Sequence, residues 1–253
     1  MPLEYNSKYI INIINDINSK VSLKYGFSNI PLLPPYDTIN KSIIFGSTFF
    51  QPDIKDNIYI YIYIYKHSVV KNLNLNYKKN NKLIYISSGS FLMPNVNFYN
   101  KIIDAYKNSE YEIVMVVPKP ELINFKNIPH NIKIYKHVEQ QKILREASLF
   151  ITHAGYNSIC ESIYYSTPML CYPISNDQFL NSYLLEVKGL GINLKDISLT
   201  KNNILKLTNF AINNSTILAN LNECRNSMNS AKDLDTVITD ILLKVSKQLN
   251  VEL

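Results

Sequence analysis

Residues 149–178 read LFITHAGYNSICESIYYSTPMLCYPISNDQ. The first four residues, Leu149–Thr152, are apolar or β-branched, short enough for a strand, and followed by a turn at Gly155. Asn157–Tyr165 then has the length and residue types of a helix, Met169–Tyr172 is a second short apolar run, and Gln178–Val187 a second helix. Strands that are apolar on every position are buried on both faces. Alternating with helices, they predict a parallel sheet with helices packed on each side.

The same alternation extends outward. Upstream lie a strand at Leu83–Ser87, a helix at Asn97–Lys107, strands at Glu112–Val117 and Ile132–Tyr135, and a helix at Gln140–Ala147. Downstream lie a last strand at Ile192–Leu194 and a helical stretch over 200–248. The expected fold is therefore α/β: a Rossmann-like parallel sheet flanked by helices over residues 83–253, C-terminal helices included. Residues 1–82 read as a separate N-terminal segment. It comprises a helix over 1–25 stopped by Gly26, an extended connector carrying Pro31, Pro34 and Pro35, and a short strand at Ile43–Phe45. The run NIYIYIYIY at 57–65 would place isoleucines on one strand face and tyrosines on the other. It reads as a low-complexity insertion or an edge strand rather than an aromatic binding ladder. Residues 71–82 read as a polar, basic loop.

Composition narrows the function. The 253 residues are 46% hydrophobic and 18% charged, enough to bury a core and incompatible with pervasive disorder. The net charge of +6 comes from lysines scattered along the chain, with Arg145 and Arg225 the only arginines. Nucleic-acid binding, which clusters basic residues and relies on arginine, is not expected. Three cysteines, Cys160, Cys171 and Cys224, lack metal-ligand spacing. Their odd number fits a reducing compartment, so a cytoplasmic location is expected. No apolar run reaches transmembrane length, and the N-terminus is too charged and Asn-rich for a signal peptide.

In an open parallel sheet, ligands bind beyond the carboxyl ends of the strands, so the loops there carry the information. Ser87-Ser88-Gly89-Ser90 follows the first strand, and a glycine among small hydroxyl residues lets backbone approach a ligand closely. His153-Ala154-Gly155-Tyr156-Asn157-Ser158 turns from strand to helix. The free N–H groups and partial positive charge of a helix start suit a phosphate. Glu161, four residues beyond Asn157 and on the same helix face, could accept hydrogen bonds from a ribose diol. Singly, Asn157 or Ser158 could be an ordinary N-cap and His153 a satisfied loop histidine. Asp177 and Gln178 follow the next strand. Asp177 could cap a helix, or the pair could bond vicinal sugar hydroxyls. A phosphate seat, a ribose carboxylate and a polar pair together describe a nucleotide-sugar site. G-x-G-x-x-G and G-x-x-x-x-G-K-[ST] are both absent.

These residues carry a family resemblance. The stretch from His137 to Gly191 is similar to the donor-binding signature of the UDP-glycosyltransferases of GT-B fold, in THAGYNS-x2-E and then TPMLCYPISNDQFLN. A looser resemblance runs from about Asn29 to the C-terminus. It implies a single GT-B donor-binding domain, with His153 and Gly155 at the diphosphate and Asn157 and Ser158 binding phosphate at the helix start. It further implies Glu161 on the ribose hydroxyls, Gln140 near the ribose, Asp177 and Gln178 on the transferred sugar, and Ser88, Gly89 and Ser90 near the start of the donor site. His137 stands where many members stack a Trp on uracil, and Glu139 where the family usually has Pro.

The activity implied is inverting hexosyl transfer from a UDP-sugar, UDP-glucose being the candidate donor, to an acceptor hydroxyl. No cofactor and no metal are implied, since the sequence has no Asp-x-Asp in a strand-end loop. The family's acceptor domain and its catalytic His have no counterpart here. Residues 1–30 resemble the tail of that domain and 31–82 its linker. The catalytic base is therefore unassigned, and the chain reads either as a donor-domain fragment or as one subunit of a split enzyme with an acceptor-domain partner protein. Two other readings remain open: a non-catalytic nucleotide-sugar binder, and a nucleotide-sugar epimerase or hydrolase of related fold.

Overall fold

The computed structural model describes residues 80–89, 96–122, 128–175 and 177–229, the pairs 43–44 and 60–61, and single helical positions at 236, 239 and 243. The expected helix over 1–25, the connector, most of the Tyr/Ile run, Ser90, Asn176 and the apolar residues Val237–Leu242 lie outside the described residues. The chain divides into two compact units. In the first, Ile43–Ile44 (β1) pairs in parallel with Ile60–Tyr61 (β2), so part of the Tyr/Ile run is strand. All other described residues belong to the second unit.

The second unit runs β3 (Asn80–Ser87), α1 (Val96–Tyr106), β4 (Glu112–Val116), a 3₁₀ turn (Pro120–Leu122), β5 (Ile132–Tyr135), α2 (Gln140–Glu146), β6 (Ala147–Thr152), α3 (Tyr156–Tyr164), β7 (Met169–Cys171), α4 (Asp177–Val187), β8 (Gly191–Asn193), α5 (Lys201–Asn213) and α6 (Ser215–Asn229). All six strands are parallel, in the order β5-β4-β3-β6-β7-β8. Renumbered from its own first strand this is 3-2-1-4-5-6, the doubly wound Rossmann order.

Alternation along each strand builds a core on both faces. On one face Leu83, Tyr85, Phe150, Met169 and Cys171 pack with Leu144, Ile159, Ile163, Leu221 and Cys224. On the other, Ile84, Ile86, Ile113, Met115, Leu149, Ile151 and Leu170 pack with Phe98, Ile102, Ile204 and Ala211. β6 is buried at every position, which accounts for its unbroken apolar sequence.

Most boundaries fall within two residues of expectation, and three of the differences bear on the site or the sheet. β3 begins at Asn80, before the expected strand start at Leu83. Exposed Asn80 pairs with Ala147 and the register shifts before Ile84, so backbone bonding carries the strand into polar sequence that reads as loop. α3 begins at Tyr156, making Gly155 its N-cap. α4 begins at Asp177, which therefore lies in the first turn and does not cap it. The helical stretch from 200 is two helices. They break at Asn214, whose side chain accepts from the Ile217 N–H and so caps the second.

Candidate functional site

The strand order reverses between β3 and β6, and a crevice opens at the carboxyl ends of strands at such a switch point. The Ser87–Gly89 turn leaves β3 there, and the turn from Thr152 to Tyr156 leaves β6 beside it, since Ser87 and Thr152 are register partners.

The β6–α3 turn is strained and held. Ala154 takes a left-handed backbone, φ 66°, which is costly for a residue with a Cβ. Its N–H donates to Thr152 Oγ1 at 3.3 Å and its carbonyl accepts from Asn181 Nδ2 at 3.1 Å. Asn181 also donates to Asp177 Oδ2 at 3.0 Å, tying α4 to the turn.

The helix start is bare. Gly155 caps α3 with extended backbone and no side-chain hydrogen bond. Neither Asn157 nor Ser158 serves as the cap that single-residue reasoning allows; they occupy the second and third positions of the helix. Asn157 is exposed and Ser158 half-buried. N–H groups that a Ser or Asp would ordinarily satisfy thus have no capping side chain, an arrangement that could accept an anion.

His153 sits between two glycines. A Cβ on Gly89 would stand 2.8 Å from imidazole Cε1, and one on Gly155 would collide with Nε2. Gly89 also has φ +79°, so both close approach and backbone call for glycine there. Burial holds the His153 pKa below 6.5, opposed by the Ser87 backbone and by the charge of Asp177. The ring is therefore neutral at pH 7. Nδ1 is buried without a hydrogen bond of good geometry.

A cavity of about 560 Å³ opens beside this turn. His137 lies on its exposed rim, and Gln140, Ser158 and Glu161 line its polar wall. Gln140 Nε2 donates to Glu161 Oε2 at 2.6 Å and to Ser158 Oγ at 3.3 Å, and Gln141 Nε2 donates to Glu161 Oε1 at 3.3 Å. Glu139 pairs with Lys142 at 2.8 Å across the first turn of α2, on the surface.

The structure thus gathers Gly89, His137, Gln140, Ser158 and Glu161 around one cavity, with His153 packed against Gly89. It uses other candidates differently. The Ser88 hydroxyl is buried against Tyr99 Oη at 2.9 Å, so its side chain serves the core and leaves Ser87 and Gly89 facing the cavity. Gln178 is 7% exposed, and its Oε1 accepts from the Ile174 and Ser175 N–H groups at 2.9 and 3.1 Å. Only its Nε2 end remains for a ligand. Sequence reasoning passes over Ala154, Asn181 and Tyr85. Asn181 alone carries a legible signal, one helical turn from Asp177 on the same face.

The order of strands and the bare helix start at their reversal define a doubly wound α/β domain of Rossmann type. Solved glycosyltransferases share it: the calicheamicin glycosyltransferase CalG4 superposes with a TM-score of 0.70 at 15% identity, over 90% of this chain and 58% of its own. The spinosyn forosaminyltransferase SpnP gives 0.70 at 14% identity, over 92% and 61%. The family model for UDP-glucoronosyl and UDP-glucosyl transferases matches residues 76–226, more than half of the sequence, and the chain belongs to that family.

Among its relatives is the uncharacterized UDP-glucosyltransferase YdhE of Bacillus subtilis, 25% identical over 205 residues, 79% of this chain and 52% of the relative. The NDP-glycosyltransferase YjiC of Bacillus licheniformis is 33% identical over 116 residues, 45% of this chain and 29% of the relative. The chain spans about half the length of YdhE. No helix among the described residues is long and apolar enough to cross a membrane.

Proposed function

We propose that this chain is the donor-binding half of a UDP-sugar-dependent glycosyltransferase, with residues 83–253 as the donor domain and 1–82 as the segment that precedes it. The bare start of α3 beside His153 is the observation that carries the reading. The diphosphate sits on the N–H groups of that first turn with the Asn157 and Ser158 side chains and Gly155, and His153 contributes one neutral imidazole donor. Glu161 takes the ribose with Gln140 beside it, His137 covers the base, and Asp177 with the Nε2 end of Gln178 takes the sugar, glucose being the candidate. The backbone turn Ser88–Gly89 faces the donor's phosphate side, and Ser90, which lies outside the described residues, belongs to the same proposed contact.

An acceptor hydroxyl loses its proton to a base and attacks the anomeric carbon from the face opposite UDP, inverting it. Helix dipole, N–H groups and imidazole hold the charge that develops on the departing diphosphate, so a metal is not required. The base and the acceptor site belong to an acceptor-domain partner. A cytoplasmic site of action is part of the proposal, and three buried cysteines in the thiol form support it.

Calorimetric titration with UDP, UDP-glucose and UDP-N-acetylglucosamine, with and without EDTA, tests the reading. Saturable UDP binding unchanged by EDTA is expected. Absence of UDP binding, or its loss in EDTA, overturns it.

A further inference from the structure

The inner wall of the cavity carries a polar group that the donor-site reading leaves without a role. Tyr85 on β3 is 1% exposed, and its ring stacks on Phe150 of β6 with centroids 4.8 Å apart and planes 13° from parallel. Two neighbouring strands therefore fix where its hydroxyl stands. Tyr85 lines the cavity, and its hydroxyl donates to Gln140 Oε1 at 3.2 Å. Burial pushes the phenol up to about 12, partly offset by a hydrogen bond with Ser87, so it remains a donor at neutral pH.

An amide side chain has one acceptor end and one donor end. With Oε1 engaged by Tyr85, Gln140 turns both Nε2 hydrogens toward α3, one to Glu161 Oε2 at 2.6 Å and one to Ser158 Oγ at 3.3 Å. The three contacts form a chain from the rigid sheet to the carboxylate. We infer that Tyr85 is a positioning residue that locks the Gln140 amide and, through it, holds the Glu161 carboxylate where it recognises ribose hydroxyls. The inference rests on the donor-site reading above. When ribose competes for the lone pairs of Glu161, the Tyr85 bond keeps Gln140 in place, and a carboxylate held in place discriminates better than one free to follow whatever ligand enters.

The test is the ratio of affinities for UDP and 2′-deoxy-UDP, measured by calorimetry on the full chain. It is read for the natural sequence, for Tyr85→Phe, for Gln140→Leu and for the double variant. The natural chain should prefer UDP by about tenfold, a charge-assisted hydrogen bond's worth. Tyr85→Phe keeps the stacked ring and should cut the preference to about threefold or less. Gln140→Leu should do the same, and the double variant should fall no further. A ratio between two ligands on one folded protein is insensitive to that protein's stability, so a merely structural tyrosine would leave it unmoved. Full preference retained by either single variant overturns the role of Tyr85 while leaving the donor site standing. UDP bound by the natural chain with no preference over the deoxy analogue overturns the assignment of Glu161 to ribose, and the role of Tyr85 with it.

Discussion

His153 concentrates the chemistry of the site in one side chain. Its half-buried imidazole packs between Gly89 and Gly155, and desolvation keeps its folded pKa below the 6.5 of a free imidazole. The unfolded chain therefore binds more protons than the folded chain over the interval between the two values. Linkage fixes the sign: the stability due to neutral His153 is complete above about pH 6.5 and is lost as pH falls through the folded pKa. His153→Asn should flatten that acid limb in urea melts taken from pH 7.5 to 5, and an unchanged limb would place the titration elsewhere. The residue scale is also where sequence was least informative. THAGYNS displays His153 and Gly155, yet nothing in it announces that Ala154 adopts a left-handed backbone or that Asn181, on another helix, donates to the Ala154 carbonyl. Those facts depend on tertiary contacts between segments that are distant in sequence.

At the scale of elements, helices α1 and α5 cover one face of the sheet and share a buried polar contact. Tyr106 Oη and Thr208 Oγ1 lie 2.6 Å apart, both residues fully buried. Burial drives the phenol pKa well above its usual 10, so the pair is a neutral hydrogen bond. The two truncations are not equivalent. Tyr106→Phe leaves a threonine hydroxyl that can turn to the carbonyl four residues back in its own helix. Thr208→Val strands a buried phenol. Urea denaturation should give a loss of about 1–3 kcal/mol for Thr208→Val and about 1 kcal/mol or less for Tyr106→Phe. Equal losses would mean the phenol finds another partner. Element order and type were legible because buried parallel strands need continuous apolar runs such as Leu149–Thr152. Ends were less so: β3 reaches back to Asn80 because strand bonding uses the backbone and tolerates exposed polar side chains. The start of α3 at Tyr156 follows from the conformation of Gly155, which the sequence leaves open.

At the scale of the molecule, the sheet order places the site. The reversal between β3 and β6 brings the turns after Ser87 and Thr152, 65 positions apart, to one crevice. Their grouping was legible because both turns follow apolar runs. Their use was only partly so. Ser88 turned inward to Tyr99, and Gln178 turned back on its own loop; a hydroxyl or amide beside a glycine reads the same whether it meets a ligand or the core. Transfer by the purified chain follows the same logic. If the base belongs to a partner, UDP-glucose with a panel of phenolic, lipid and macrolide acceptors should give slow hydrolysis at most, and turnover only when an acceptor-domain protein is added. Multiple turnovers per second by the chain alone would locate a base within these 253 residues.

In the proposed function the diphosphate of UDP rests on the start of α3. The most direct test is calorimetric titration of UDP into the natural chain and into a variant carrying Asn157→Ala with Ser158→Ala, both confirmed folded by circular dichroism. The variant should lose about 1–3 kcal/mol of binding, roughly five- to 150-fold in affinity. UDP bound equally well by the folded double variant would contradict it.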